Sequence, residues 1–273
     1  MNKNNTNVAL ITGASSGIGQ VTALALKHAG FRVFGTSRKE VPTDCDNITM
    51  LKCDVTDEAS VQQTVAEVLQ QTGRIDLLVN NAGIGLLGAT EESSATQAQA
   101  LFDVNVFGIH RVTNAVLPVM RRQKKGRIIN ISSVLGLIPA PYNALYSSTK
   151  HAIEGYSESL DHELRTFGIR VVLVEPGATR TSFEENITRP DRPLPCYDVE
   201  RSRMEAVMRK MVHMGDSAEV VAATVVKAAL ATTPKRRYHA GQQASQVRTL
   251  RRFLPESLFD RSLRKINGLP ACP

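Results

Sequence analysis

The chain has 273 residues, 42% of them hydrophobic, with charges of both signs, so it can bury a full core as one large α/β domain or two small ones. Its longest apolar stretch, 219–231, is broken by Lys227, short of the roughly 20 residues a membrane span needs. The first apolar run is also too short for a secretion signal, so a soluble, intracellular, cytoplasmic protein is expected. The four cysteines (Cys45, Cys53, Cys196, Cys272) form no CxxC pair and the six histidines show no HExxH spacing, so neither a metal site nor a disulfide framework is predicted. Buried thiols and surface histidines are the expectation instead.

A first strand over 8–12 breaks into Gly13-Ala-Ser-Ser-Gly17-Ile-Gly19 and continues as a helical pattern through Ala29. Strand, glycine turn and helix in that order set backbone N–H groups where a pyrophosphate can sit. The spacing is GxxxGxG rather than GxGxxG. A second strand, Arg32–Ser37, ends in Arg38-Lys39 with no acidic residue. An acid there suits the adenosine ribose of NAD, whereas an arginine suits the extra phosphate of NADP. Arg38 is therefore the candidate for a 2′-phosphate, with Lys39 or Ser16 as helpers; it also reads as a plain loop charge. NADP(H) is the preferred cofactor and NAD(H) the alternative.

A third strand, Ile48–Lys52, leads to Cys53-Asp54-Val55-Thr56-Asp57, in which Asp54 can accept from an adenine amino group and Thr56 or Asp57 can cap the next helix. That helix has an amphipathic period over 59–69 and stops at Gly73, and a fourth strand over 77–79 runs into Asn80-Asn81-Ala82-Gly83. Small residues there allow a ligand close to the backbone, and Ile84, Leu86 and Leu87 can touch a substrate; a plain turn reads equally well. One long helix is expected over 96–122, carrying Asn105, which must find partners if buried.

The fifth strand, Gly126–Ile131, opens into Ser132-Ser133, a Pro-containing loop and a helix bearing Tyr146 and Lys150. Four residues apart, Tyr and Lys share a helix face. An adjacent ammonium stabilises a phenolate, so the pair can exchange a proton nearer neutral pH; taken alone, the two also read as ordinary surface residues, since a Tyr-x-x-x-Lys match occurs often by chance. A sixth strand over 170–175 ends in Pro176-Gly177. The alternation predicts a doubly wound, Rossmann-type parallel sheet of α/β class, with its ligand crevice at the strands' carboxyl ends, where each marked residue falls.

TGASSGIG, Asp54-Val55, NNAG, Asn105, ISS, YSSTK and PGATRT together resemble the short-chain dehydrogenase/reductase superfamily, from the first strand to about Phe183. The resemblance implies Tyr146 as general acid or base, and Lys150 as the group that lowers its pKa and holds the nicotinamide ribose. It implies Ser133, thirteen residues before Tyr146, as the substrate-facing serine rather than Ser132. Asn105 would support a water linking Lys150 to solvent. Gly13, Ser15, Ser16, Gly17 and Ile18 would surround the phosphates, Asp54 and Val55 the adenine, and Asn81, Ala82 and Gly83 the ribose region. Pro176, Gly177 and Thr181 would position the carboxamide. A homodimer or homotetramer is also implied, through the long helices.

Past the motifs, 180–215 collects three prolines and Met204, Met208, Met211 and Met214. In that family such a segment is a substrate lid; the methionines read as pocket lining or, rather better, as a helix packed on the core. A helix over 216–231 and a seventh strand, Arg237–Ala240, complete a domain of 1–240. The extension 241–273 is basic and amphipathic, weakly similar to that of 17β-hydroxysteroid and retinol dehydrogenases. It fits a lipophilic substrate such as a steroid, retinoid or long-chain carbonyl, and either covers the pocket or touches a membrane surface. It concentrates the +7 net charge without any nucleic-acid motif. The competing readings are a 3-oxoacyl-carrier-protein type reductase and a cofactor-sensing protein without turnover; sensors of that kind often lack the Tyr and Lys retained here.

Overall fold

The computed structural model describes residues 6–39, 44–45, 48–183 and 187–269. Its strands are β1 (Val8–Ile11), β2 (Arg32–Ser37), β3 (Asp44–Cys45), β4 (Ile48–Lys52), β5 (Leu77–Asn80), β6 (Gly126–Ile131), β7 (Ile169–Pro176), β8 (Thr179–Arg180), β9 (Asp216–Ser217) and β10 (Arg237–Ala240). Eight form one sheet in the order β10-β7-β6-β5-β1-β2-β4-β3, parallel except for the short antiparallel edge strand β3. β8 and β9 pair separately.

The strands are short apolar runs because both sheet faces are covered. Along β1, Val8 and Leu10 join one core cluster while Ala9 and Ile11 join another on the opposite face, as period-two alternation requires. Residues of α2 (Glu58–Thr72), α4 (Gly108–Gln123) and α5 (Ala144–Leu164) complete the first cluster, and residues of α1 (Gly17–His28) and α7 (Ala218–Leu230) the second. The chain reverses its winding direction between β1 and β5, so a crevice opens at their carboxyl ends. This is the Rossmann-type single domain expected.

Two elements differ from expectation. The helix predicted over 96–122 is α3 (Ala95–Phe102), a wide π-type turn over Asp103–Phe107, and α4. The interruption carries Asn105 inward, and such widened turns are frequent at functional sites. α7 starts at Ala218 because Asp216 and Ser217 pair with Thr179 and Arg180. The methionine segment is α6 (Asp198–His213), in which Met204 is buried while Met214, just beyond it, is exposed. Cys53 is buried as expected but Cys196 is exposed, and the Cys45 side chain and Cys272 lie outside the described residues. Two further helices, α8 (Gln242–Phe253) and α9 (Glu256–Ile266), follow β10.

Candidate active site

The glycine turn depends on glycine at each marked position. Gly13 and Gly17 have φ of +66° and +55°, which side chains disfavour. A Cβ on Gly19 would stand 2.2 Å from the Gly13 carbonyl oxygen and 2.5 Å from Asn81 Nδ2. Asn81 Nδ2 donates to the carbonyls of Thr12 (3.0 Å) and Gly13 (2.9 Å), and Thr12 Oγ1 accepts from the N–H groups of Asn81 and Ala82, both at 3.0 Å. The side chain of Asn81 is thus a structural pin between β1 and β5. Thr12, which sequence reasoning passed over, is its counterpart. The first turn of α1 carries no acid and Ser16 makes no side-chain cap there. Its amide N–H groups, with Ser15 and Ile18 beside them in the chain, suit the phosphates of a dinucleotide.

At the adenosine end, Arg38 and Lys39 are exposed just past β2. Asp54 Oδ1 accepts from Thr56 N (2.9 Å) and Oγ1 (2.8 Å). Burial alone would raise the Asp54 carboxyl, but these hydrogen bonds and the charges of Arg38 and Arg111 hold it below its ordinary value. The helix cap is Asp57, through Ala59 N at 2.9 Å. Val55 packs its side chain into the core, leaving only its backbone for an adenine.

The presumed chemistry centres on α5 and the turn after β6. Ser133 Oγ accepts from Leu135 N at 3.1 Å and lies on the Tyr146 side of the turn, where it exerts a lowering pull on the phenol. Ser132 instead lies against Glu154 and the Gly136 backbone. Of the two serines, Ser133 is the one toward Tyr146 and Ser132 the one toward Glu154. Lys150 Nζ donates to the Ile131 carbonyl at 3.0 Å and sits 5.6 Å from the Tyr146 ring centroid. Burial pushes the phenol up despite a lowering pull from Ser133, and burial brings the Lys150 ammonium down to about 8 against a smaller upward pull from Glu154. That corrects the expectation of a phenol lowered by its lysine: desolvation wins, because the ammonium faces the ring and a backbone carbonyl. A neutral phenol is the form that can donate a proton.

Asn105 is 1% exposed. Its Oδ1 accepts from Ile84 N at 2.9 Å, and its Nδ2 donates to Ile84 O (2.9 Å) and Thr149 Oγ1 (3.2 Å). Those bonds use its amide to brace the loop after Gly83 against α5. Leu86 and Leu87 are buried and do not line an open pocket, whereas Ile84 is half-buried.

A segment after β7 lies over this site. The Phe183 ring is 6.2 Å from that of Tyr146, and a Cβ on Gly85 would meet Ile187 at 2.9 Å and Phe183 at 3.1 Å. Thr188 pairs with Gly85 and Leu87 through backbone bonds of 2.9 and 3.1 Å, and Asp191 accepts from Ser94 N and Oγ. Glu92, wholly buried, takes the Leu194 N–H at 2.9 Å and pairs with Arg201. No sequence signal marked Glu92. Pro176 is buried, Gly177 and Ala178 lie against Gln243 of α8, whose Oε1 takes Ala178 N at 3.0 Å, and Thr181 rests on Gly17. Among the described residues no three His, Cys, Asp or Glu side chains gather as a metal site.

The glycine turn and the Tyr146–Lys150 pair share one edge of the sheet, and the family that the chain matches makes it an oxidoreductase working on alcohol or carbonyl groups with a nicotinamide cofactor. The family profile described as short chain dehydrogenase matches residues 7–192, and the chain belongs to that family. It is 45% identical over 179 residues to a 3-ketodihydrosphingosine reductase of Bacteroides thetaiotaomicron, covering 66% of each chain. It is 34% identical to retinol dehydrogenase 8 of Bos taurus over 93% of this chain and 88% of that one. Among solved structures, a short-chain dehydrogenase from Streptomyces avermitilis superposes with TM-score 0.80 at 33% identity, covering 97% and 96% of the two chains. ElxO with NADP bound (TM-score 0.72, 28% identity, 86% and 97%) and a Burkholderia phymatum enzyme in complex with NAD (0.77, 25%, 96% and 97%) share the fold.

Proposed function

We propose that the protein is an NADP(H)-dependent oxidoreductase that interconverts a lipophilic secondary or primary alcohol with its ketone or aldehyde. The carrying observation is the Tyr146 ring, with Lys150 Nζ 5.6 Å from its centroid on the same helix and the apolar Phe183 ring 6.2 Å away. A bound nicotinamide supplies or accepts the hydride. In the reductive direction, Ser133 holds the carbonyl oxygen and Tyr146 gives it a proton; in the oxidative direction Tyr146 first passes its own proton to a neutral Lys150 and, as the phenolate, takes the proton of the hydroxyl that Ser133 holds. Lys150 holds the nicotinamide ribose hydroxyls and restores the proton of Tyr146. Asn105 keeps the loop around Ile84 in register with α5. Phe183 and Ile187, converging on Gly85, supply an apolar cover, and 180–215 acts as the lid. The names of two relatives, a 3-ketodihydrosphingosine reductase and a retinol dehydrogenase, point to the same substrate class.

The test of substrate class is absorbance at the nicotinamide band with steroid, retinal, long-chain and acetoacetyl-thioester carbonyls. Oxidation confined to lipophilic carbonyls supports the reading; oxidation confined to thioesters replaces it with an acyl-carrier type reductase. Arg38, exposed just past β2, is assigned to the 2′-phosphate. Arg38→Ala is expected to weaken NADPH about tenfold to a hundredfold, the worth of a charged phosphate contact, and to leave NADH binding nearly unchanged. Equal weakening of both cofactors would remove that assignment.

The reading includes a homodimer or homotetramer through the exposed faces of α4 and α5, and work in the cytoplasm. Among the described residues no helix is long and apolar enough to cross a membrane. α8 and α9, however, expose Leu250, Phe253, Leu258 and Ile266 among Arg248, Arg251, Arg252, Arg261 and Lys265. A surface of that kind suits peripheral contact with an anionic bilayer. The protein is expected to sediment with phosphatidylserine vesicles and to be released by salt; full recovery in the supernatant at low salt contradicts the contact.

A further inference from the structure

One turn beyond Lys150 on α5, a buried group of ionisable side chains has no part in the proton transfer described above. Glu154 and Glu175 are buried, the latter completely, and Glu175 directly precedes Pro176. Arg237 Nε stands 2.8 Å from Glu154 Oε2 and 3.0 Å from Glu175 Oε1, while its Nη1 reaches Glu158 Oε1 at 2.6 Å. His239 Nδ1 is 2.5 Å from Glu175 Oε2, so His239 is not the surface histidine expected of it. The exposed Arg236 lies 4.0 Å from Glu158.

The hydrogen-bond balance of this group does not close. Nε of an arginine carries one hydrogen, and here it aligns with Glu154. Glu154 Oε1, both oxygens of Glu175 and both ring nitrogens of His239 are buried without an aligned hydrogen-bond partner. Buried polar groups are ordinarily paired, and two acceptor-only carboxylates at one guanidinium nitrogen are matched when one of them takes up a proton.

We propose that Glu154, Glu175 and His239 hold a shared buried proton and that Glu154, through its charge, keeps Lys150 protonated, which makes them positioning residues for Lys150. The inference rests on the reading of Lys150 as a proton and ribose holder. Glu154 faces Lys150 and Glu158 on its own helix, Glu175 on β7, Arg237 on β10 and the Ser132 hydroxyl after β6. Lys150 faces Tyr146, the Ile131 carbonyl and Glu154. Burial, then the Glu175 charge, raise the Glu154 carboxyl to about 7, so it becomes an anion just below the pH at which Lys150, brought down to about 8, loses its proton. The charge is present where Lys150 needs it.

Two readouts test this on the full chain with Glu154→Gln. The first is thermal unfolding against pH. A carboxyl raised in the folded state contributes stability below its unfolded pKa that is lost as pH rises through about 7, so the wild type should lose stability between about 4.5 and 7 and the variant should be flatter there. The second is NADPH affinity against pH by fluorescence titration, which needs no turnover. Its fall at high pH should begin about one pH unit lower in Glu154→Gln, and Glu154→Asp should recover part of the difference. If Glu154→Gln does not fold, Glu175→Gln replaces it, and its stability loss should move to lower pH because the neighbouring charge that raises Glu154 is gone. An unchanged stability profile in a folded variant overturns the shared proton, and an unmoved affinity limb overturns the effect on Lys150. Absence of carbonyl reduction in the wild type, with both shifts present, would count against the proposed function and leave this inference standing.

Discussion

Tyr146→Phe is expected to lower kcat by about 10²–10⁴-fold, the usual worth of a positioned general acid, while NADPH affinity stays within about twofold. The substitution removes one oxygen and little else. The ring keeps its contacts with Phe183, at 6.2 Å between centroids, and with Lys150 Nζ, at 5.6 Å. Ser133 still accepts from Leu135 N at 3.1 Å. The phenol that is lost is held neutral by burial, so the variant lacks the proton that a substrate oxygen would receive. Stability should change little, since the half-buried ring keeps its packing and only the hydroxyl is lost. Stopped turnover with intact binding, measured by steady-state kinetics and fluorescence titration, separates a proton-donor role from a structural one. Turnover equal to wild type would sink the mechanism.

Lys150→Met should divide activity from stability more sharply. Lys150 is 7% exposed and its ammonium is brought down to about 8 by burial, so the folded state holds the charge at a cost. Its folded pKa lies below its unfolded value of 10.5. Wild-type stability should therefore rise with pH between about 8 and 10.5, as the unfolded chain retains a proton that the folded one has released. Below pH 8 the full cost is present. Methionine fills a similar volume without the charge, so the variant is expected to be more stable at pH 7 by up to about 2 kcal/mol, after allowing for the donor lost to Ile131 O. The rise between pH 8 and 10.5 should vanish with it. Turnover should fall about 100-fold or more, because the proton exchange and the hold on the ribose go together. A destabilised variant at pH 7 would show that Lys150 supports the fold rather than burdening it.

Both expectations begin from residues that can be picked out in the chain, and the structure shows why those and not others. Gly13, Arg38, Asp54, Asn81, Ser133 and Gly177 each follow an apolar run, and parallel strands buried on both faces are such runs. Their carboxyl ends therefore mark one edge of the molecule before any fold is known. The π-type turn that carries Asn105 left no mark, because its apolar pattern continues across Asp103–Phe107 in helical period. Thr12, Glu92 and Gln243 were missed for a different reason: each acts on a segment far along the chain, with Glu92 meeting Leu194 and Gln243 meeting Ala178. Asn80 and Asn130 belong with them. They sit opposite one another on β5 and β6 and exchange a 2.8 Å hydrogen bond, visible only once strand register is known. The direction of the Tyr146 shift was misjudged because adjacency of Tyr and Lys is a one-dimensional fact, whereas desolvation depends on everything packed around them.

The central claim is that this edge performs hydride transfer coupled to proton donation by Tyr146. The most direct measurement is mass spectrometry of the alcohol formed from a lipophilic ketone with NADPH carrying deuterium at the transferable C4 position, in ordinary water. One deuterium on the carbinol carbon of the wild-type product, and little or no product from Tyr146→Phe in the same time, is the predicted result. Product formed without deuterium, or formed equally by the variant, would contradict it.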